Sequence, residues 1–392
     1  MFKIQNLNKI DEEGLNLFPD NQYSIDSEAE NPDGIILRSF NMHEMEITSS
    51  VKSIARAGAG VNNIPVDKCT EKGIVVFNTP GANANGVKEL VIAGLMLSSR
   101  DIAGGIEWCK TLKDKGSEIT SLIEAGKKNF AGSEVKGKTL AIIGLGAIGV
   151  LIANAAQSIG MKVIGYDPYM SVKSALKLSR NVQVVSSADI AFGAADFVSI
   201  NVPQTPETKG YINNETIGLM KEGVKILNFA RGGLVNNTDM KVALELGKVA
   251  TYVTDFPDQE TLNMPNTICI PHLGASTAES ETNCAIMAVE QIREFLENGN
   301  IINSVNFPNA DMERHQGGAR ILIANKNIPN MVSQITSALA TANVNIANML
   351  NRNRSEIAYN IIDVYRAEVE PGIVQRLIEI DGVFMVRVLN GK

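Results

Sequence analysis

Five residues in the middle of the chain have the spacing of a phosphate-binding turn. Gly144, Gly146 and Gly149 form the pattern G-x-G-x-x-G at the end of an apolar run, TLAIIG, and Ala147 and Ile148 precede the last glycine. The first glycine permits a tight turn, the second lets the backbone approach a pyrophosphate, and the third lets a helix pack close to a sheet. The N-terminal amides and the dipole of that helix would face the phosphates. The pattern therefore predicts a dinucleotide site.

The acid that follows the motif selects between two dinucleotides. Asp167 ends the next apolar run, KVIGYD, where its carboxylate can accept hydrogen bonds from the hydroxyls of an adenosine ribose. The same charge repels a 2′-phosphate, and no arginine follows in DPYMSVK. These residues predict NAD rather than NADP as the cofactor. The alternative is a glycine cluster that only packs a helix, with a solvated Asp167.

Charged side chains that could bind a carboxylate and move a proton follow three other apolar runs. Arg231 stands in NFARGG, where its planar guanidinium can bind a carboxylate through two hydrogen bonds. Asp255 and Glu260 stand in TDFPDQE, and His272 stands in CIPHLGAST. A carboxylate bonded to an imidazole fixes its tautomer and favours its protonated form. Together these residue types suit hydride transfer at a carbon that bears a hydroxyl next to a carboxylate.

The elements that must position these residues alternate along the chain. Apolar runs typical of strands lie at 34–40, 53–58 and 74–79, and a helical pattern follows at about 87–100. A second series of six runs starts at Thr139 and ends with TICIPH. Such alternation is typical of parallel sheets with crossover helices, whose ligands bind at the carboxyl ends of the strands. We therefore predict an α/β fold with a doubly wound parallel sheet.

The order of the runs predicts three domains, one of them discontinuous. Residues 1–95 and 277–303 would form a smaller, flavodoxin-like domain for the substrate, into which the doubly wound Rossmann domain of residues 96–276 is inserted. The polar segment 304–318 suits a linker. Residues 319–392 show the order β-α-β-β-α-β of a ferredoxin-like unit.

The composition argues against several classes of protein. The 392 residues are 44% hydrophobic and 20% charged, which is typical of a folded chain. The net charge of -7 disfavours nucleic acid as a partner. The four cysteines show no metal-ligand spacing, so no metal is expected. Without a signal-peptide pattern or an apolar run near the ~18 residues of a membrane span, we expect a cytoplasmic protein with no membrane partner.

These motifs resemble those of a known family. The segments ARAGAGVNNIP and NTPGANANGVKELV, the glycine motif, and the motifs around Arg231, Glu260 and His272 are similar to the D-isomer specific 2-hydroxyacid dehydrogenases. The likeness is to the branch of D-3-phosphoglycerate dehydrogenases with a C-terminal ACT domain, and it covers nearly the whole chain. The resemblance implies a homo-oligomeric, NAD-dependent oxidoreductase, a dimer or tetramer. Its reaction would be the oxidation of D-3-phosphoglycerate to 3-phosphohydroxypyruvate, the first step of L-serine biosynthesis.

The resemblance also implies catalytic roles. Arg231 corresponds to the arginine that binds the substrate carboxylate, His272 to the acid/base, and Glu260 to the acid that orients the histidine. The family pattern D-V-F-x-x-E gives a five-residue offset from Asp255 that selects Glu260, while Asp258 remains an alternative. Asp255 itself is similar to the family's acid near the nicotinamide.

Further positions would contact the cofactor or the substrate. Beyond the residues above, the cofactor positions that the resemblance implies are Pro203, Ala230 and Gly274. The implied substrate positions are two arginines for the phosphate, a loop of small residues whose amides meet the substrate, and one asparagine: Arg38, Arg56, Ala57, Gly58, Ala59, Gly60 and Asn83. Solvated arginines at strand ends are the alternative for the two cations.

The C-terminal segment has positions that match the serine-binding residues of ACT domains. Asn325, Asn327 and Asn345 align with these allosteric ligand positions, which implies regulation by L-serine. Asn325 stands where the family usually has histidine and Asn330 where it has glycine, which leaves the ligand open. A unit that only pairs subunits is the alternative.

Two other functions fit the same motifs. A dehydrogenase for an unphosphorylated 2-hydroxy or 2-oxo acid would share the arginine, the acid and the histidine. A non-catalytic NAD-sensing protein would share the fold and the cofactor site. The intact set of Arg231, Glu260 and His272 favours an enzyme over the sensor.

Overall fold

The computed structural model describes residues 1–391 and divides into two compact units. The first unit comprises Met1–Ala82 and the chain from Glu281 onward, and the second comprises Asn83–Ser280. The domain limits predicted from the sequence stay a prediction. Among the helices of residues 1–391, none is long and apolar enough to cross a membrane.

The amino-terminal part of the first unit is a five-stranded sheet. Its elements are β1 (Phe2–Asn6), α1 (Glu12–Leu15), β2 (Tyr23–Asp26), β3 (Gly34–Leu37), β4 (Ser53–Arg56), α2 (Val66–Glu71) and β5 (Val75–Phe77). The strands are parallel and lie in the order β2-β1-β3-β4-β5. Every residue of β3 and β5 is buried, as expected for short apolar strands covered on both faces.

The second unit is built on a seven-stranded parallel sheet. Its helices are α3 (Ala84–Ser99), α4 (Ile102–Lys110), α5 (Ile119–Gly126), α6 (Ala147–Ser158), α7 (Val172–Lys177), α8 (Ala188–Ala194), α9 (Asn214–Gly218) and α10 (Asn237–Glu245). Its strands are β6 (Thr139–Ile143), β7 (Lys162–Tyr166), β8 (Gln183–Val184), β9 (Phe197–Ile200), β10 (Val224–Asn228), β11 (Val249–Thr254) and β12 (Thr267–Cys269). The order β12-β11-β10-β9-β6-β7-β8 confirms the predicted doubly wound sheet.

The chain returns to the first unit through a long helix and an antiparallel sheet. The elements are α11 (Ala278–Asn298), β13 (Arg320–Lys326), α12 (Met331–Thr341), β14 (Ile346–Arg354), β15 (Ile357–Val364), α13 (Pro371–Ile378) and β16 (Val383–Leu389). The antiparallel order β14-β15-β13-β16 is that of a ferredoxin-like unit, which confirms the predicted β-α-β-β-α-β succession.

Both faces of this antiparallel sheet are buried. On one face, Ile321 and Ile323 pack with residues of α12 and α13. On the other face, Leu322, Tyr359 and Ile361 join a core that also contains residues of β1, β5 and α11. Successive residues of a strand point to opposite faces, so β13 contributes to two cores at once.

The segment 304–318 is irregular but packed. Phe307 and Ala310 are buried, and the backbone of Ala310 pairs with that of Ile301. The carbonyl oxygens of Met312 and Glu313 accept hydrogen bonds from the guanidinium of Arg320. These contacts attach the segment to the core of the first unit.

Three strands lie outside the sequence prediction. β1 and β2 contain polar, partly exposed residues, and β8 has only two residues. Apolar periodicity in such short strands is too weak to separate them from loops. The unbroken apolar strands of both parallel sheets carry the stronger pattern.

Candidate active site

The glycine motif forms the turn between β6 and α6. Gly144 has a φ of 95°, and a Cβ there would lie 2.6 Å from the carbonyl oxygen of Asn201. At Gly149 a Cβ would lie 1.9 Å from the carbonyl oxygen of Gly144, so only glycine lets α6 pack this closely. Gly146 is exposed, and a Cβ there would meet no heavy atom within 4 Å, while Ile148 is half-buried. The space beside Gly146 is therefore open to a ligand.

The start of α6 and the end of β7 suit a dinucleotide. Gly146 is the N-cap of α6 and no side chain caps the helix there, so the exposed amide end at Ala147 is available to phosphate oxygens. Asp167 follows β7, and its carboxylate accepts hydrogen bonds from the backbone amides of Leu145 and Tyr169, both at 2.8 Å. These bonds hold the carboxylate beside the glycine turn, where ribose hydroxyls bind in such sheets.

Asp255 is buried at the end of β11 with one oxygen unpartnered. Its Oδ2 accepts a hydrogen bond from the amide of Gly274 (3.2 Å), whereas its Oδ1 has no hydrogen-bond partner within residues 1–391. Burial raises the pKa of Asp255, against the opposing effects of the Gly274 amide and of the charges of His272 and Arg231. A buried oxygen without a donor is costly, which indicates that a ligand donor such as a carboxamide belongs there. The residues present therefore fit a bound nicotinamide dinucleotide.

His272 lies in the loop after β12 in an unusual backbone conformation. Its φ is 44°, in the left-handed region that few residues with side chains adopt. Its backbone amide donates to the carbonyl oxygens of Asp255 and Ile270, both at 3.0 Å. Its exposed ring packs against the ring of Phe256, with 4.6 Å between the centroids. Backbone strain of this kind concentrates at functional sites.

Arg231 reaches the same aromatic ring. Its guanidinium carbon lies 5.9 Å from the centroid of the Phe256 ring, and its Nη1 donates to the carbonyl oxygen of Ala230 (2.7 Å). Phe256 thus forms a wall shared by the guanidinium and the imidazole of His272. The structure therefore brings Arg231, Asp255 and His272 together at the carboxyl ends of β10, β11 and β12.

The acid predicted to orient His272 is not bonded to it. Glu260 is exposed, and its carboxylate makes no hydrogen bond or ion pair with any residue of the described chain. The carboxylate of Asp258 accepts hydrogen bonds from the amide (2.8 Å) and hydroxyl (2.9 Å) of Thr261, so it is committed to the short turn that follows. The charge of His272 opposes the effect of burial on the pKa of Asp255, so Asp255 is the buried acid of this cluster.

The remaining predicted cofactor positions lie at strand ends of the same sheet. Pro203 is exposed in the loop after β9. Ala230 follows β10, and its amide donates to Oδ1 of Asn228 (3.2 Å). At Gly274 a Cβ would lie 3.1 Å from Oδ2 of Asp255, a close approach that disfavours a side chain.

Sequence reasoning missed three residues of this cluster. Asn228 and Tyr252 are buried on β10 and β11, and Phe256 directly follows the buried aspartate. The asparagine in KILNFA is a polar residue at the end of an apolar strand, a signal that could have marked it. The two aromatic residues carry no such signal, because aromatic side chains are usual in strands.

The two predicted phosphate-binding arginines lie in the first unit. Arg38 follows β3 and forms an ion pair with Glu281 (2.7 Å), with both side chains partly exposed. Arg56 ends β4 and donates from Nε to the carbonyl oxygen of Arg38 (2.8 Å) and from Nη1 to that of Gly60. Burial raises the pKa of the Cys284 thiol, while both guanidiniums lower it and Glu281 raises it. The two cations therefore belong to one cluster beside α11.

The small-residue loop follows Arg56 directly. Ala57 is buried, Gly58 is half-buried, and Ala59 is exposed with its carbonyl oxygen accepting from the side-chain Nδ2 of Asn78 (2.6 Å). Asn83 is the N-cap of α3 in the second unit and makes no side-chain cap bond. Contact of these residues with a substrate stays a prediction.

The predicted serine positions differ in their surroundings. Asn325 is buried, with Oδ1 accepting from Nδ2 of Asn360 (2.8 Å). Asn327 is exposed and donates to the carbonyl oxygen of Ser355 (3.0 Å), and Asn345 is exposed. Their binding of an effector stays a prediction.

Comparison with known proteins identifies the family. Residues 97–274 match the model of the NAD-binding domain of the D-isomer specific 2-hydroxyacid dehydrogenases. A D-3-phosphoglycerate dehydrogenase of Methanocaldococcus jannaschii is 35% identical over 300 residues, which are 74% of this chain and 54% of that protein. One of Haemophilus influenzae is 31% identical over 344 residues, which are 84% of this chain and 79% of that protein.

A solved structure agrees with these relatives. The crystal structure of NAD+-bound 3-phosphoglycerate dehydrogenase of Entamoeba histolytica matches 78% of this chain and 98% of that chain, with a TM-score of 0.59 and 27% identity. The chain spans about half the length of several curated relatives that it matches, namely 54%, 49% and 48%. The glycine turn, the buried acid and the histidine loop follow strands of one sheet, and the chain matches these relatives over most of its length. The chain belongs to the D-isomer specific 2-hydroxyacid dehydrogenase family.

Proposed function

We propose that the protein is an NAD-dependent dehydrogenase that oxidises D-3-phosphoglycerate to 3-phosphohydroxypyruvate, the first step of L-serine biosynthesis. The observation that carries the proposal is the cluster of Arg231, Asp255 and His272 around Phe256, on the same sheet edge as the glycine turn. The relatives named D-3-phosphoglycerate dehydrogenase support the choice of substrate. The four free thiols suit a reducing cytoplasm as the place of action.

The residues of the cluster divide the chemistry among them. The cofactor, when bound, supplies a hydride acceptor at its nicotinamide ring. Asp255 would accept a hydrogen bond from the carboxamide through its unpartnered Oδ1. Arg231 would hold the substrate carboxylate through two hydrogen bonds, and His272 would take the proton of the C2 hydroxyl. Fixing the carboxylate and the hydroxyl together orients C2 for transfer of its hydride.

Glu260 would stabilise the imidazolium that forms when His272 takes the proton. Because its carboxylate is unbonded in the described chain, its hydrogen bond to His272 would form in the reacting complex, where catalytic hydrogen bonds often tighten. Glu260→Gln should lower kcat, and Asp258→Asn should not. A normal kcat in Glu260→Gln would transfer the orienting role to Asp255.

Replacement of the histidine tests the mechanism. His272→Ala should lower turnover of D-3-phosphoglycerate by about 10²–10⁴-fold, as expected for loss of an acid/base group, while NAD affinity stays unchanged. NADH absorbance measures the first quantity and titration with NAD the second. The exposed His43 provides the matched control, His43→Ala. Unchanged turnover would remove the mechanism, and a wild-type protein that binds NAD without oxidising any hydroxy acid would be a sensor.

The proposal assigns the substrate phosphate to Arg38 and Arg56. A phosphate dianion would replace Glu281 as the partner of Arg38. Each Arg→Ala change should raise KM for D-3-phosphoglycerate by at least about tenfold, because a charge-assisted hydrogen bond contributes ~1.5–3 kcal/mol. KM for D-glycerate should stay constant, and Arg376→Ala, on the exposed side of α13, should change neither. An equal rise of KM for D-3-phosphoglycerate and for D-glycerate would favour an unphosphorylated substrate.

Regulation and assembly form the last part of the proposal. The exposed Asn327 and Asn345 support binding of L-serine by the C-terminal unit in a homo-oligomer. Added L-serine should lower the rate of the wild-type protein, and Asn345→Ala should weaken the inhibition. Light scattering of the purified protein would give the number of subunits. A rate unaffected by L-serine would leave the C-terminal unit a role in subunit pairing alone.

A further inference from the structure

The buried side chain of Asn228 forms hydrogen bonds with the backbone of Arg231, the residue proposed to bind the substrate carboxylate. Asn228 is the last residue of β10 and is 0% exposed. Its Oδ1 accepts hydrogen bonds from the amides of Ala230 (3.2 Å) and Arg231 (3.3 Å). Its Nδ2 donates to the carbonyl oxygen of Arg231 (2.8 Å) and to the hydroxyl of Tyr252 (3.3 Å). All four hydrogen bonds that a carboxamide can make are therefore used.

This arrangement fixes the backbone of Arg231 on both sides of its Cα. The side chain of Arg231 is exposed, so its direction depends on the backbone that carries it. A shift of that backbone would break the bonds to its amide and its carbonyl and leave a buried carboxamide unsatisfied, which proteins avoid. The asparagine thus opposes displacement of the loop more strongly than a surface contact could.

The fourth bond joins this loop to the next strand. Tyr252 lies on β11, three residues before Asp255, and is 1% exposed. Burial raises the pKa of Tyr252 to about 12, so its hydroxyl stays neutral. Through Tyr252, one carboxamide links the strand that leads to the arginine with the strand that leads to the buried acid.

We propose that Asn228 is a positioning residue for Arg231, which it holds in the place where the guanidinium meets the substrate carboxylate. The inference rests on the proposed function, because it requires that Arg231 bind that carboxylate. Asn228 itself touches neither substrate nor cofactor in this account. Its proposed effect on binding of the substrate carboxylate passes through Arg231.

A double-mutant cycle separates this role from a merely structural one. Asn228→Ala should lower kcat/KM for D-3-phosphoglycerate by about 10–100-fold, since a misplacement near 1 Å can cost a factor of this size. In the Arg231→Ala background, Asn228→Ala should lower kcat/KM by less than about threefold, because the guanidinium that Asn228 positions is already absent. NAD affinity should stay constant throughout.

Two further variants complete the design. Asn228→Asp keeps the acceptor for the two amides and should retain more activity than Asn228→Ala, and it carries the test if the alanine variant does not fold. Asn213 caps α9 in the same unit, so Asn213→Ala is a matched structural control that should lower Tm with little change in kcat/KM.

The outcomes distinguish the inference from the function on which it rests. If Asn228→Ala costs the same factor with and without Arg231, Asn228 acts independently of the arginine and the inference is wrong. A normal kcat/KM in Asn228→Ala would overturn it as well. If Arg231→Ala alone keeps full activity, the carboxylate role of Arg231 fails, and with it that part of the proposed function.

Discussion

Two acids of the second unit, three residues apart, have opposite electrostatic surroundings. At Asp255 burial dominates and raises the pKa. At Asp258 burial acts in the same direction but is outweighed by hydrogen bonds from Thr261, and the pKa is lowered. A negative charge is therefore costly at Asp255 and favourable at Asp258. Such a cost is tolerated where a carboxylate has a function.

Asp255→Asn should raise Tm at pH 7 while lowering activity. A carboxyl whose pKa is raised on folding contributes stability below its unfolded pKa, and that contribution is lost as the pH rises through the folded pKa. The Asp255→Asn variant should thus be more stable than the wild-type protein at pH 7, and this difference in stability should vanish near about pH 4. Calorimetry of the variant and the wild-type protein at several pH values measures the difference in Tm.

The neighbouring acid provides the control of opposite sign. The lowered pKa of Asp258 gives stability that is present above its unfolded pKa and lost as the pH falls, so Asp258→Asn should lower Tm at pH 7. A lower Tm in Asp255→Asn at pH 7 would contradict the assignment of a costly buried charge.

At the scale of elements, α6 needs its glycines for two different reasons. Gly149 lets the helix contact the preceding turn, and Gly146 leaves space beside the end of the helix. The first requirement belongs to folding and the second to a ligand. The spacing of the motif does not distinguish these two requirements. The atoms that an added Cβ would meet at each glycine do distinguish them.

The two glycines should therefore give different variants. Gly149→Ala places a Cβ against the Gly144 carbonyl oxygen and should destabilise the protein by about 1–3 kcal/mol, the usual cost of overpacking. Gly146→Ala should cost less than about 1 kcal/mol but weaken NAD binding about tenfold, because it fills space that the pyrophosphate needs. Urea unfolding and NAD titration measure the two effects. Equal NAD affinity in Gly146→Ala and wild type would contradict the pyrophosphate assignment.

Across the whole chain, the antiparallel sheet shares a core with the amino-terminal elements. Arg320 and Asp363 form an ion pair that is 0% and 1% exposed, and the guanidinium also donates to the carbonyl oxygens of Asn298 at the end of α11 and of Met312 and Glu313. The hydroxyl of Tyr359 donates to the carbonyl oxygen of Gly299 (2.7 Å). These contacts bind the C-terminal elements to the end of α11.

Removing one partner of this buried ion pair should lower the free energy of unfolding more than removing both. Asp363→Leu leaves a buried guanidinium unpaired and should destabilise the protein by about 3–5 kcal/mol, as should Arg320→Met. The double variant should lose less than either single one, because no unpaired charge remains. Urea unfolding gives the values. Arg366→Ala removes an exposed pair with Glu370 and should cost less than about 1 kcal/mol. Additive losses in the double variant would show that the pair is not coupled.

The sequence by itself determined the features that depend on local pattern. The apolar strands of both parallel sheets, the β-α-β-β-α-β succession and the glycine turn after β6 are readable because their residues are neighbours in the chain. Short or mixed strands such as β1, β2 and β8 are not, since their local pattern is weak. The positions of Arg231 and His272 after strands were likewise readable, and parallel strands place such ends along one edge.

Only the tertiary structure decided which side chains meet. It buried Asp255 where the charge of His272 lowers the pKa of that acid, and it hydrogen-bonded Asn228 to the backbone of Arg231. It also enclosed Asn325 within the antiparallel sheet. The physical reason is common to all three: hydrogen bonds and burial depend on residues that are distant in the chain and become neighbours only when strands pair and pack.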